Sequence, residues 1–300
     1  MTIALPLRPE PSDSRPVPAP DRGAPALPAE RIVLGMPHLS LGGLAETWLL
    51  KELGHRHWQM LAALAGRAVP DFRDEQGAPC YAAFCGLSVR EAAFGRLREH
   101  DVLTLASRIA RISRTQFASL HRLTRDGELV GTVELASVFV KRGEPGRNRS
   151  IARVALDLFP PPGAAAEFGG AAALAARLRA PDWDGHFGFT RADARERGRV
   201  TINPCPAQDF NGADFLYFAS FQAFTDRAEW ELFRRPRLAS VARDIVFHGN
   251  VEIGEAIAVV LMGERPTPAG LDHWFRLERA SDGARLADVF SRREEPAPSR

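Results

Sequence analysis

Tyr81 is one of two tyrosines in the chain, and its phenol is a candidate nucleophile. A phenol titrates near ~10 and attacks poorly until a neighbour takes its proton or stabilises its anion. His38, just ahead of a helical run, is the candidate neighbour. Gly42, Gly43 and Leu44 open that helix. A glycine-led helix N-terminus presents free N–H groups and a positive dipole end, suited to an oxygen that gains negative charge in a reaction. Asp209 and Asn211 stand at the start of a second helical run and could put polar groups in a pocket. Each site has a plainer use. Tyr81 could be a strand aromatic, the glycines could permit a tight turn, and Asp209 or Asn211 could cap a helix. His55 and His57 are two apart on a helix, face different ways and do not chelate a metal. Gly-rich nucleotide loop, metalloprotease helix and nucleophile elbow are all missing from the sequence, so neither metal nor redox cofactor is expected.

These residues need elements to hold them. Residues 1–30 are rich in proline, including Pro16, Pro18, Pro20, Pro25 and Pro28, and read as a disordered tail; the last residues from 294 read the same way. A helix is expected over 44–65, with Leu44, Trp48, Leu49, Leu53, Met60 and Leu61 forming a wide apolar stripe and Gly66 as its stop. Strands are expected at 80–90, 102–112, 116–124 and 129–141, with Asp126-Gly127 as a hairpin turn. A connector over 160–194 follows, containing one short helix. The first pattern then recurs. A helix is expected over 213–233, then strands at 238–247, 256–262, 274–279 and 284–291, with Asp282-Gly283 turning the last hairpin. Phe215, Leu216, Phe218, Ala219, Phe221 and Phe224 leave the second helix almost no polar face. Such a helix must be buried, most simply by a sheet curling round it. The expected fold is therefore α+β: a tandem, or double, hot-dog. Residues 31–159 form one hot-dog domain and 195–293 the other.

Composition agrees with an ordinary globular protein: 300 residues, 45% hydrophobic and 25% charged, with a formal net charge of +2. That charge implies neither a nucleic-acid nor a membrane partner. Lys51 and Lys141 are the only lysines among 39 basic residues, a bias that a GC-rich genome explains. Cys80, Cys85 and Cys205 are too few and odd in number for a disulfide framework and suggest the cytoplasm. No signal peptide or 18-residue apolar stretch is present in the sequence.

Met36 to Gly54, followed by His57-Trp58, resembles the N-terminal signature of the double hot-dog acyltransferase/decarboxylase family of biosynthetic gene clusters. Asn203 to Ala213, with Leu216 to Ser220 and Asp226 to Trp230, resembles that family's second half. The likeness runs from about Leu34 to the end of the last strand. It implies an enzyme of polyketide or hybrid biosynthesis that decarboxylates a (methyl)malonyl-CoA. The acyl group would rest on a tyrosine and pass to the phosphopantetheine thiol of an acyl carrier protein. Tyr81-Ala-Ala-Phe84 matches the family's Tyr-Ala-x-Phe context, whereas the flanking Cys80 and Cys85-Gly86 differ from it. Asp209-Phe-Asn-Gly212 also resembles the active-site segment of hot-dog thioesterases, with Ala213 where those often carry histidine. A thioesterase or hydratase using Asp209 and Asn211, or a non-catalytic acyl-carrier-binding protein, are the alternatives. Acyl-CoA and a carrier protein are the implied partners, with a homodimer left open. No cofactor is implied beyond the thioester's own coenzyme A or phosphopantetheine.

Overall fold

A computed structural model describes residues 26–163, 167–192 and 194–296. Most of the proline-rich tail, 1–25, and the terminal residues 297–300 lie outside the described residues.

The N-terminal half contributes strand β1 (Ala26–Val33), a short hairpin of β2 (Leu39–Ser40) and β3 (Gly43–Leu44), and the 19-residue helix α1 (Glu46–Leu64). β4 (Phe72–Arg73) and the long β5 (Pro79–Arg90), β6 (Val102–Arg111), β7 (Gln116–Arg125), β8 (Glu128–Arg142) and β9 (Ile151–Arg153) follow. The connector carries α2 (Gly170–Arg179). The C-terminal half runs β10 (Gly198–Ile202), the single turn α3 (Pro206–Asp209), α4 (Phe218–Phe233), β11 (Ala239–Phe247), β12 (Ile257–Pro266), β13 (Gly270–Arg279) and β14 (Arg285–Glu294).

All strand pairings are antiparallel, and one sheet runs through the molecule in the order β1-β6-β7-β8-β5-β11-β14-β13-β12-β10. Read outward from the central pair, each half repeats the other. β5-β8-β7-β6-β1 matches β11-β14-β13-β12-β10, and α1 and α4 hold the same place in chain order. This is the tandem hot-dog. The Asp–Gly turns sit where expected, with Gly127 and Gly283 at positive φ (81° and 70°), which glycine adopts without strain.

The sheet curls round both helices. Leu49, Leu50 and Leu53 of α1 share one core with Phe218, Phe221 and Phe224 of α4 and with Leu87, Val89, Ile245 and Val289 of the sheet. Gly54 makes this approach feasible: a Cβ there would lie 2.6 Å from the Phe218 ring. α2 covers the opposite face of the sheet, with Ala171 and Ala175 closing on Gly86 of β5. Buried Glu134 accepts the Gly169 and Ala171 N–H groups (2.7 and 3.0 Å), capping α2.

His57 is wholly buried and belongs to a chain of polar contacts. Its Nδ1 lies 2.7 Å from Ser119 Oγ and its Nε2 2.8 Å from Ser137 Oγ. Ser119 meets His121 Nε2 (2.8 Å), and His121 Nδ1 meets Ser107 Oγ (2.9 Å). Arg56 donates to Ser107 (2.9 Å) and pairs with Glu30 (2.6 Å). Burial drives the His57 pKa down to about 3 and the His121 pKa well below its ordinary value.

Several boundaries differ from expectation. The sheet begins at Ala26, not at 31, because β1 pairs with β6 and Glu30 finds Arg56. α1 begins at Glu46, because Gly43-Leu44 pairs back on Leu39-Ser40. α4 begins at Phe218, because a bridge between Phe210 and Leu216 and the positive φ of Asp214 (60°) shape the segment before it. β12 and β13 extend past the polar residues at their turn, since ladder pairing continues to Pro266 and Leu271.

Candidate active site

The two halves join along a short seam. β5 and β11 pair only through Gly86–Val89 and Arg243–Val246. The next ladder position would set Cys85 against Phe247. There the guanidinium of Arg179 from α2 takes over: Nη2 donates to Cys85 O (2.9 Å) and to Phe247 O (2.7 Å). Beyond this wedge the edge of β5 from Tyr81 to Cys85 is free of β11. The chain after β11 leaves through His248-Gly249-Asn250.

A cavity of about 440 Å³ opens in this gap, with contributions from both halves and from Arg179. Such a volume is of ligand-binding size. Phe84, Val138, Phe215, Phe218, Phe221 and Phe247 make much of its wall apolar.

Tyr81 lines the cavity, half-buried. Its ring meets Phe215 edge-on, centroids 5.4 Å apart. Arg142 stands 4.0 Å from the Phe215 centroid and 5.8 Å from that of Tyr81. Arg142 is itself anchored by Asn148 Oδ1 and Ala213 O. Among the described residues the Tyr81 hydroxyl has no hydrogen-bond partner, so the phenol is placed but not spent.

Asn211 also reaches the cavity wall. Its Oδ1 accepts the Ala213 and Phe215 N–H groups (3.0 and 3.2 Å), which folds the loop that presents Phe215. Asn250 anchors the other side of that loop by accepting Leu216 N–H (3.1 Å). Asp209 is buried off the cavity wall, with its carboxylate accepting Cys205 N–H (2.8 Å). Local capping accounts for that contact.

The structure does not bring His38 to Tyr81. His38 Nδ1 accepts Gly35 N–H (2.9 Å), its ring lies edge-on to Trp48, and it takes no part in the cavity wall. Gly42, Gly43 and Leu44 likewise lie away from it. Gly42 packs on Leu238 and Gly43 on Phe94, so close that a Cβ would come within 2.9 and 2.1 Å of their carbonyl oxygens. That is the other end of the seam, where Ala92 N–H reaches Val241 O (3.0 Å). The first turn of α1 is occupied there by its own buried Glu46, bonded to Ser240 (2.5 Å) and paired with Arg243 (2.9 Å). The glycines serve close approach, and the helix end faces an ion pair.

Other groups of the site went unnoticed in the sequence. His248 lines the cavity, and its Nε2 lies 2.9 Å from Asp288 Oδ2. Asp288 is buried, accepts Trp274 Nε1–H (2.9 Å) and pairs with Arg285. Burial lowers the His248 pKa against the opposing pull of Asp288. For Asp288 burial pushes upward, but the His248 hydrogen bond and the Arg285 charge outweigh it and hold the carboxyl low. At neutral pH the pair is thus imidazole and carboxylate. Cys85 also lines the cavity, but burial raises its thiol pKa and it donates to Ala136 O, so it is not a ready thiolate. Among the described residues no three His, Cys, Asp or Glu side chains are grouped to hold a metal ion.

No family model matches the chain, and no curated protein matches it in sequence. Solved structures match it in fold. The 12:0-ACP thioesterase from Umbellularia californica superposes with a TM-score of 0.63 at 7% identity, over 90% of this chain and 97% of its own. A putative oleoyl thioesterase from Lactobacillus plantarum gives 0.62 at 13% identity, over 92% and 97%. An acyl-ACP thioesterase from Bacteroides thetaiotaomicron gives 0.58 at 9% identity, over 89% and 97%. At such identities the likeness shows the fold, the hot-dog arrangement spread over nearly the whole chain.

Proposed function

We propose that the chain is an acyl-thioester enzyme, working in the cytoplasm, that moves an acyl group from coenzyme A through Tyr81 to the pantetheine thiol of an acyl carrier protein. A malonyl-type acyl group would lose carbon dioxide in the same cavity before transfer. One observation carries this reading: an unbonded phenol on the wall of a cavity, partly apolar, where the two halves splay. The apolar part of the wall suits an acyl chain. The N–H donors at the free edge of β5 and the remaining donors of Arg179 suit a developing oxyanion. The resemblance of Tyr81-Ala-Ala-Phe84 to the acyltransferase/decarboxylase family points the same way. Among the described residues no helix is long and apolar enough to cross a membrane, and a homodimer is compatible with this reading without being needed for it.

Hydrolysis is the second reading. It is favoured by the three neighbours above, which are named as thioesterases, two of them acting on acyl carrier protein substrates. Intact-mass spectrometry after incubation with malonyl-, methylmalonyl- and propionyl-CoA separates the two. A single acyl adduct per chain, lost in Tyr81→Phe while the variant keeps its melting temperature, supports transfer. Free acid without adduct, at equal rate in Tyr81→Phe, overturns transfer in favour of hydrolysis. Absence of any turnover overturns both.

A further inference from the structure

We infer that His248, oriented by Asp288, is the base that takes the proton from the Tyr81 hydroxyl when the phenol attacks the thioester. This rests on the acyl-transfer reading above. Three observations on the page lead to it. His248 and Tyr81 line one cavity of about 440 Å³, from opposite sides of the seam. The Nε2 of His248 is committed to Asp288 at 2.9 Å, and Asp288 can only accept as a carboxylate, so Nε2 carries the hydrogen. That leaves the lone pair on Nδ1, which has no hydrogen-bond partner among the described residues. Asp288 is a positioning residue: it is buried, held by Trp274 Nε1–H, and does not reach the cavity.

The charged groups facing the ring are Asp288 and Arg285 of β14 and Arg179 of α2, with Arg276 of β13 behind Asp288 at 3.7 Å. Burial, with the Arg285 and Arg179 charges behind it, lowers the His248 pKa against the pull of Asp288 and keeps the ring from charging early. The proton bookkeeping closes. In the first step the phenol O–H proton passes to Nδ1, directly or through one water, the phenol oxygen bonds to the acyl carbon, and the C–S bond breaks. The departing coenzyme A thiolate takes the proton from the imidazolium. In the second step the carrier thiol gives its proton to Nδ1, the new C–S bond forms, the aryl ester C–O bond breaks, and the phenolate recovers the proton.

The test is a pH profile of acyl transfer in the full chain, wild type against His248→Gln, with binding of a non-reactive acyl-CoA analogue measured alongside. In the wild type, kcat/KM should be flat near neutral pH and fall on the acid side below pH ~6.5, as the base protonates. His248→Gln should bind the analogue as before, lose about 100-fold or more in rate, and lack that acid limb. Its residual rate should climb with hydroxide concentration at alkaline pH, where solvent base replaces the imidazole. Asp288→Asn should shift the acid limb, which a merely structural carboxylate would not do. An active wild type whose His248→Gln variant keeps both rate and profile overturns the inference and leaves the transfer reading standing. A wild type with no turnover overturns that reading first.

Discussion

Arg179 shows how one side chain can set the shape of a site. The β5–β11 ladder stops after Gly86 and Val246, and the next two carbonyls, of Cys85 and Phe247, are answered by the Arg179 Nη2. Truncation to alanine would leave two carbonyls at a half-buried seam without a donor. Each unanswered group costs roughly 1–3 kcal/mol, less where water enters from the cavity. Arg179→Ala is therefore expected to lower the melting temperature and to slow acyl turnover. Arg179→Lys should restore part of the stability with one carbonyl bonded at a time. A fully stable and fully active Arg179→Ala would mean that β5 and β11 close the gap themselves. Tyr81 and His248 depend on that gap staying open. That dependence is why Arg179, remote in sequence from both, belongs to the same site.

Among the elements, the two segments that lead into the central helices are equivalent by position and opposite in effect. Leu39–Leu44 folds back as the β2–β3 hairpin before α1, and Phe210 and Leu216 bridge before α4. The first plugs its end of the seam against Phe94 and Leu238; the second holds Asn211 and Phe215 on the cavity wall. Gly43 has φ of +106° and no room for a Cβ. Gly43→Ala is expected to destabilise by roughly 2–4 kcal/mol through backbone strain and the clash with Phe94. The turnover of the remaining folded molecules should stay at the wild-type value. A large loss of kcat in a variant that stays folded would instead return an oxyanion role to the helix entrance.

For the molecule as a whole, buried histidines tie stability to pH. His57 and His121 are neutral in the folded state, with pKa values pushed below the ordinary ~6.5 by burial. Unfolding returns them to water, where they bind protons more readily. Their contribution is complete above pH ~6.5 and is lost as pH falls from there towards about 3, the folded value for His57. In that window each costs up to ~1.4 kcal/mol per pH unit. Denaturant titrations at pH 7.5, 6 and 5 should show falling stability, before most carboxylates protonate. A flat profile over that range would mean that the seven-group chain from Glu30 to Ser137 opens to water. Because the chain begins at Glu30 on β1, the edge strand that sequence assigned to a disordered tail is bound into the core through Arg56.

Local signals carried the fold. Apolar stripes at helical spacing over 44–65, dense phenylalanines before Phe233, and Asp–Gly pairs at 126–127 and 282–283 depend only on neighbours along the chain. Repeated in order, they require two helices wrapped by antiparallel strands. Edge strands β1 and β10 were harder to see, because β1 is mostly exposed and β10 is only five residues long. The site was legible only in part. Tyr81 and Asn211 reach the cavity, whereas His38, Gly42, Gly43 and Leu44 do not, and Asp209 turns to the Cys205 backbone. Nothing along the chain announces that His248 meets Asp288 forty residues later, or that Arg179 answers carbonyls from both halves. The first contact follows from the β11–β14 ladder, which sets Val246 opposite Asp288; the second exists because β5 and β11 pair for only four residues, leaving one end of the seam open and the other plugged. Which end stays open is settled by how two near-equivalent halves meet, and that is a property of the folded molecule, where long-range pairing replaces local pattern as the deciding term.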